Sequence, residues 1–94
     1  MNVRFHVDPE TGLPHIYEHG VTEDEVRQVL MERGVDEQGT EGSRVKYGQT
    51  AAGRYLKVIY KERMEEEELF VITGYELRGK TRKAFRRRQR RKGT

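Results

Sequence analysis

The sequence contains no cysteine, so it can form neither a disulfide nor a thiolate metal site. It has no apolar run near the roughly 20 residues that a membrane-spanning helix needs. Its first residues also lack the apolar stretch of a secretory signal. Hydrophobic residues make up 33% of the 94 residues and charged residues 37%. We therefore expect a single small domain with a lean core and no membrane partner, located in the cytoplasm.

Acidic residues are absent from the last part of the chain. Residues 77–94 carry ten Lys or Arg and no Asp or Glu, whereas residues 1–76 carry nine basic and sixteen acidic side chains. The net charges are −7 and +10, which sum to +3. Such asymmetry indicates a basic arm whose partner is either an external polyanion or the acidic body itself. We divide the chain into a compact domain, 1–78, and a basic C-terminal helix or tail, 79–94.

Apolar periodicity predicts the secondary structure. Residues 3–7 alternate as a half-buried strand does, and Pro14 can begin a short helical segment that Gly20 stops. Thr22 and Glu25 have the spacing of a capping box, which predicts a helix over 23–33. Residues 36–42 are polar and read as a loop. The segments 44–49, 54–60 and 69–75 have strand composition.

These segments predict an α+β fold. Its order is an N-terminal strand, a helix, a three-stranded antiparallel meander and a basic C-terminal helix. Ala84 and Phe85 are almost the only apolar residues of the last helix. Because so few contacts hold many like charges, we expect order to about Arg87 and disorder beyond it.

Two clusters of titratable residues have weak signatures. His15 and His19 lie four residues apart and could share a metal ion, but no further ligand pattern completes the site. We therefore predict no metal and no cofactor. The glutamate run 65–68 is typical of a solvated turn, and it could also be the intramolecular partner of the basic segment.

Cations and phenols are mixed along the predicted strands and after them. Surfaces that bind RNA use such mixtures, because cations contact phosphates and aromatic rings stack on unpaired bases. Alternation places Arg44 with Lys46, and Tyr55 with Lys57, but leaves open whether the two pairs share a face of the sheet. The candidate nucleic-acid-binding residues are Arg44, Lys46, Tyr55, Lys57, Tyr75, Lys80, Arg82 and Arg86.

An RNA-cleaving site could use some of the same residues. The attacking 2′-hydroxyl must lose a proton, and the phosphate gains negative charge in the transition state. We take Arg54 as the phosphate ligand, with Arg78 adding positive charge. His19 and Glu76 are the two candidate proton carriers.

Short motifs resemble a known family. Asp8-Pro9, the HGV at 19–21 and the segment GQTAAGRYL at 48–56 resemble the BrnT-type toxins. Those proteins are small ribonucleases with a RelE-like fold that pair with an antitoxin. The segment ITGYELRGK at 72–80 more closely resembles an adjoining family of small uncharacterised domains with the same architecture. The resemblance implies a RelE-like fold, RNA as partner and an antitoxin, and it carries over His19, Arg54 and Arg78.

Three functions follow as hypotheses. The first is a nucleic-acid-binding domain, with RNA as the expected ligand, related to the toxin components of toxin–antitoxin pairs. The second is an active RNA-cleaving toxin. The third is a protein-interaction domain whose basic segment does not contact nucleic acid.

Overall fold

A five-stranded mixed sheet forms the centre of the protein. The computed structural model describes residues 2–79, 82–84 and 86. The strands are β1 (Asn2–Phe5), β2 (Val35–Gln38), β3 (Arg44–Gln49), β4 (Tyr55–Arg63) and β5 (Glu68–Glu76). Their order across the sheet is β1-β5-β4-β3-β2. One complete α-helix, α1 (Glu23–Met31), and two 3₁₀ helices, His15–His19 and Met64–Glu66, accompany the sheet within the described part of the chain.

The predicted RelE/BrnT-like order of strand, helix, three-stranded meander and basic helix is wrong. β1 pairs in parallel with β5, and β2 adds an antiparallel strand to the edge of β3. The sequence predicts a loop at β2 because most of its residues are polar. In the structure, Val35 is the only buried residue of the four in this strand. Backbone hydrogen bonds to β3, which have no side-chain signature, make it a strand. The result is a mixed sheet.

The last predicted helix falls only partly within the described residues. Residues 82–84 and 86 have helical backbone, and Ala84, predicted to dock this segment, is exposed. Phe85 and the predicted loss of order beyond Arg87 lie outside the described residues.

The helix α1 begins where the capping box predicts. The Thr22 side chain accepts the backbone N–H of Glu25, and the Glu25 carboxylate accepts the backbone N–H of Thr22. The helix ends at Met31, two residues before the predicted end. Its buried residues, Val26 and Val29, pack against one face of the sheet.

The core lies between α1 and this face of the sheet. Leu56 and Val58 of β4 are fully buried against the helix, as is Ile16 of the first 3₁₀ helix. Gly48 lets the helix approach closely, because a Cβ there would lie 3.0 Å from a methyl carbon of Val29. Burying each Val or Leu side chain fully is favourable by about 1.5–3 kcal/mol relative to leaving it exposed.

The first 3₁₀ helix lies beside the second half of β5. β1 pairs only with the first half, Glu68 to Val71. The chain then turns at 8–14, makes an isolated bridge between Val7 and Pro14, and donates the His15 N–H to the His6 carbonyl at 2.9 Å. Gly20 ends the 3₁₀ helix, as predicted, and the structure shows it in the left-handed conformation. None of the helices in residues 2–79, 82–84 and 86 is long and apolar enough to cross a membrane.

Candidate nucleic-acid interface

The sheet face opposite α1 carries a cation between two phenol rings. Cross-strand register places Tyr47 opposite Lys57 and Lys57 opposite Tyr75. The Lys57 Nζ lies 5.8 Å from the centroid of the Tyr47 ring and 5.7 Å from that of the Tyr75 ring. All three side chains are partly exposed. We call Tyr47, Tyr55, Lys57 and Tyr75 the tyrosine–lysine face.

Lys57 keeps its charge in this setting. A hydrogen bond with the Tyr75 side chain raises the pKa of Lys57 above its ordinary value, although partial burial opposes the shift. Tyr47 acts in the same direction with a smaller effect. The ammonium group between the two aromatic rings is therefore protonated at neutral pH.

Tyr55 extends this face towards the basic C-terminal segment. The guanidinium carbons of Arg82 and Arg86 lie 6.0 and 5.9 Å from the centroid of its ring. Buried Leu77 and Val35 pack beneath Tyr55 and Tyr47. Two of the predicted arginines thus lie beside a predicted aromatic residue.

A row of imidazole rings continues the face beyond β5. The His19 ring lies 5.8 Å from the Tyr75 ring, His15 lies 5.3 Å from His19, and His6 lies 6.1 Å from His15. The sequence indicated His15 and His19 only as a possible metal pair, and it gave no role to His6. The isolated bridge that brings His6 to the 3₁₀ helix has no sequence signature.

Arg44 and Lys46 lie on the other face of the sheet. The Arg44 Nη2 is 2.8 Å from the Asp36 carboxylate, and the Lys46 Nζ donates to the Leu30 carbonyl of α1 at 3.0 Å. Bonding to Asp36 raises the pKa of Arg44. The sequence left open whether the two residue pairs share a face of the sheet. In the structure, Arg44 and Lys46 lie on one face, and Tyr55 and Lys57 lie on the opposite face.

Arg54 joins three separate segments through the protein's own acceptors. Its Nη1 donates to both carboxylate oxygens of Glu25, at 2.8 and 2.7 Å, and to the Gly20 carbonyl at 3.1 Å. Its Nε and Nη2 each donate to Glu76 Oε2 at 3.2 Å. Bonding to Glu25 is the main cause that raises the pKa of Arg54, against the effect of burial. The guanidinium group of Arg54 is thus already hydrogen-bonded to two carboxylates of the protein, those of Glu25 and Glu76.

Of the candidate catalytic residues, the structure brings Arg54 and Glu76 into direct contact. Arg54 and Glu76 form an ion pair, whereas the ring of His19 lies against Tyr75. Arg78 is exposed, and Lys80 lies outside the described residues. These roles stay predictions.

The glutamate run is split between two environments. Glu65, Glu66 and Glu67 are exposed, as expected of a solvated turn. Glu68 is buried, with its carboxylate oxygens 3.4 Å from Arg4 and 3.5 Å from Arg63.

One group of side chains has the composition of a metal site. Ligand atoms of Asp8, His15 and Glu18 all lie within 4.8 Å of one another. A hydrogen bond with Glu18 is the main cause that lowers the pKa of Asp8. The sequence pattern missed this group because Asp8 lies on a different turn from the other two residues.

Comparisons of the chain with models of protein families, with curated proteins and with solved structures found no match.

Proposed function

We propose that the protein binds single-stranded nucleic acid, with RNA as the expected ligand, on the tyrosine–lysine face. The observation that carries the proposal is Lys57 held between the rings of Tyr47 and Tyr75. Proteins that bind single strands combine cations that contact the backbone with aromatic rings that stack on bases. Tyr55 with Arg82 and Arg86 repeats this combination nearby.

Binding without cleavage fits the described residues better than cleavage does. A ribonuclease needs a cation free to meet the phosphate and a proton carrier within reach of it. Arg54 is bonded to Glu25 and Glu76, and the same bonds engage Glu76. The kinship with toxin components, the antitoxin partner and the cytoplasmic location stay predictions from the sequence.

The test is fluorescence anisotropy with a labelled single-stranded RNA of about 12 nucleotides, a length within the range of known single-strand sites. We expect binding that weakens steeply as salt rises, because cations displace counterions from the phosphates. Tyr75→Ala removes one ring and should weaken binding by about 1–3 kcal/mol, or roughly 5- to 150-fold. Tyr75→Phe should retain most of the affinity, since it keeps the ring.

The contribution of the Lys57 charge to binding can be tested with a matched control. Lys57→Ala should reduce the salt slope by about one, whereas Arg33→Ala removes an equal charge from an exposed site after α1 and should not. Circular dichroism confirms that each variant is folded. Equal binding by wild type, Tyr75→Ala and Lys57→Ala would exclude this face. Shortening of the RNA during the assay would favour the RNA-cleaving hypothesis instead.

A further inference from the structure

The turn that follows β1 positions an aspartate beside the first 3₁₀ helix. The Asp8 N–H donates to the Leu13 carbonyl at 2.9 Å, and the Asp8 carbonyl accepts the Gly12 N–H at 2.8 Å. The Asp8 Oδ1 accepts the Glu10 N–H at 3.1 Å. One carboxylate oxygen is thus committed to the turn, and Oδ2 is left facing His15.

The 3₁₀ helix supplies two more groups on the same side. Residues three apart eclipse each other in a 3₁₀ helix, so His15 and Glu18 lie one above the other. The His15 Nδ1 is 3.6 Å from Glu18 Oε2 and 3.8 Å from Asp8 Oδ2. In a regular α-helix, residues 18 and 19 would both be neighbours of His15 on the helix surface.

These distances fit ligands of one ion better than hydrogen bonds. A hydrogen bond from an imidazole N–H to oxygen spans about 2.7–3.2 Å, which is shorter than both separations. Two atoms that bind the same tetrahedral zinc at about 2.0–2.2 Å lie about 3.3–3.6 Å apart. The Nδ1–Oε2 separation of 3.6 Å lies at the end of this range, and the Nδ1–Oδ2 separation of 3.8 Å is 0.2 Å longer.

Charge also favours a cation here. Asp8 is 16% exposed and shares its surroundings with a second carboxylate. Two carboxylates at one site repel each other unless they share a proton, as in the hydrogen bond between Asp8 and Glu18, or a cation, which can take the place of that proton.

We propose that Asp8, His15 and Glu18 bind a divalent transition-metal ion, with Zn²⁺ as the best-fitting member of the class. The ligands are Oδ2, Nδ1 and Oε2. An imidazole nitrogen favours zinc over magnesium, and two carboxylates complete a set of three protein ligands. Such a set leaves a further coordination position for a water or an anionic oxygen. The site stands independently of nucleic-acid binding.

The test is isothermal titration calorimetry of metal-free protein with Zn²⁺, in the absence of nucleic acid. We expect one ion per chain and no comparable binding of Mg²⁺. His15→Gln and Glu18→Gln should each weaken binding more than about 100-fold, because loss of a mere outer-shell partner already costs about 10- to 100-fold. Glu18 is half exposed, so Glu18→Gln keeps the test valid if changes at Asp8 disturb the turn.

Two neighbouring imidazoles serve as controls. His6→Gln and His19→Gln change rings 6.1 and 5.3 Å from His15 and should leave Zn²⁺ affinity within about twofold of wild type. Loss of binding in His19→Gln with no effect of Glu18→Gln would overturn the proposal and assign the metal to His15 and His19. Absence of saturable Zn²⁺ binding to the wild type would also overturn it.

Discussion

Substitution of Arg54 by alanine should destabilise the fold. Its guanidinium group connects the start of α1 through Glu25, the preceding loop through the Gly20 carbonyl, and the end of β5 through Glu76. The side chains of Arg54, Glu25 and Glu76 are 30%, 18% and 27% exposed. They are therefore intermediate between surface ion pairs, which contribute about 0–1 kcal/mol, and buried pairs, whose disruption costs about 3–5 kcal/mol. We expect a loss of about 2–3 kcal/mol in the free energy of unfolding, between those limits.

The assay is urea unfolding followed by circular dichroism, with Arg44→Ala as the matched control. Arg44 also pairs with carboxylates but is more exposed, at 38%. Its loss should therefore destabilise the protein less than the loss of Arg54. Equal unfolding midpoints for Arg54→Ala and wild type would refute the connecting role of Arg54.

The same network predicts a pH dependence. Burial alone would raise the pKa of Glu25, but hydrogen bonds from Thr22 and Arg54 outweigh it and lower the pKa below its ordinary 4.5. A depressed carboxyl pKa contributes stability above the unfolded-state value, and this contribution is lost as the pH falls through the folded-state value. The stability gap between wild type and Arg54→Ala should therefore narrow below about pH 4.5. A gap that stays constant from pH 7 to pH 3 would contradict this origin.

Three further substitutions test local features, each by urea unfolding. Thr22→Ala removes the helix cap and should cost about 1 kcal/mol, whereas Thr22→Ser should cost little. Tyr60→Phe removes the hydrogen bond from the hydroxyl to Asp36 at 2.9 Å and should cost about 0.5–1.5 kcal/mol. Burial, with Asp36, raises the pKa of Tyr60 to about 12. This tyrosine should therefore ionise late in an ultraviolet titration, and its contribution should be lost only as the pH rises above 10. Gly34→Ala would place a Cβ against the Tyr47 carbonyl oxygen and should cost about 1–3 kcal/mol, while Arg33→Ala should change stability by less than about 0.5 kcal/mol.

The candidate interface could be predicted only in part. Composition and alternation placed Tyr55 and Lys57 on one strand face, and Tyr75 on the next strand. The structure adds Tyr47, whose ring completes the setting of Lys57. It also separates Arg44, Lys46 and Arg54 from this face. Nothing in the sequence gives the relative orientation of neighbouring strands, because a shift of one residue in register reverses every side chain.

The features that the sequence alone determined depend on interactions between residues that are close together in the chain. The capping box fixed the start of α1, since its partners Thr22 and Glu25 lie three residues apart. Left-handed Gly20 likewise fixed the end of the first 3₁₀ helix. The tertiary structure decided the parallel pairing of β1 with β5, the edge strand β2 and the approach of Asp8 to His15. Those features depend on backbone hydrogen bonds and on contacts between distant segments, and neither leaves a periodic pattern of side chains for the sequence to reveal.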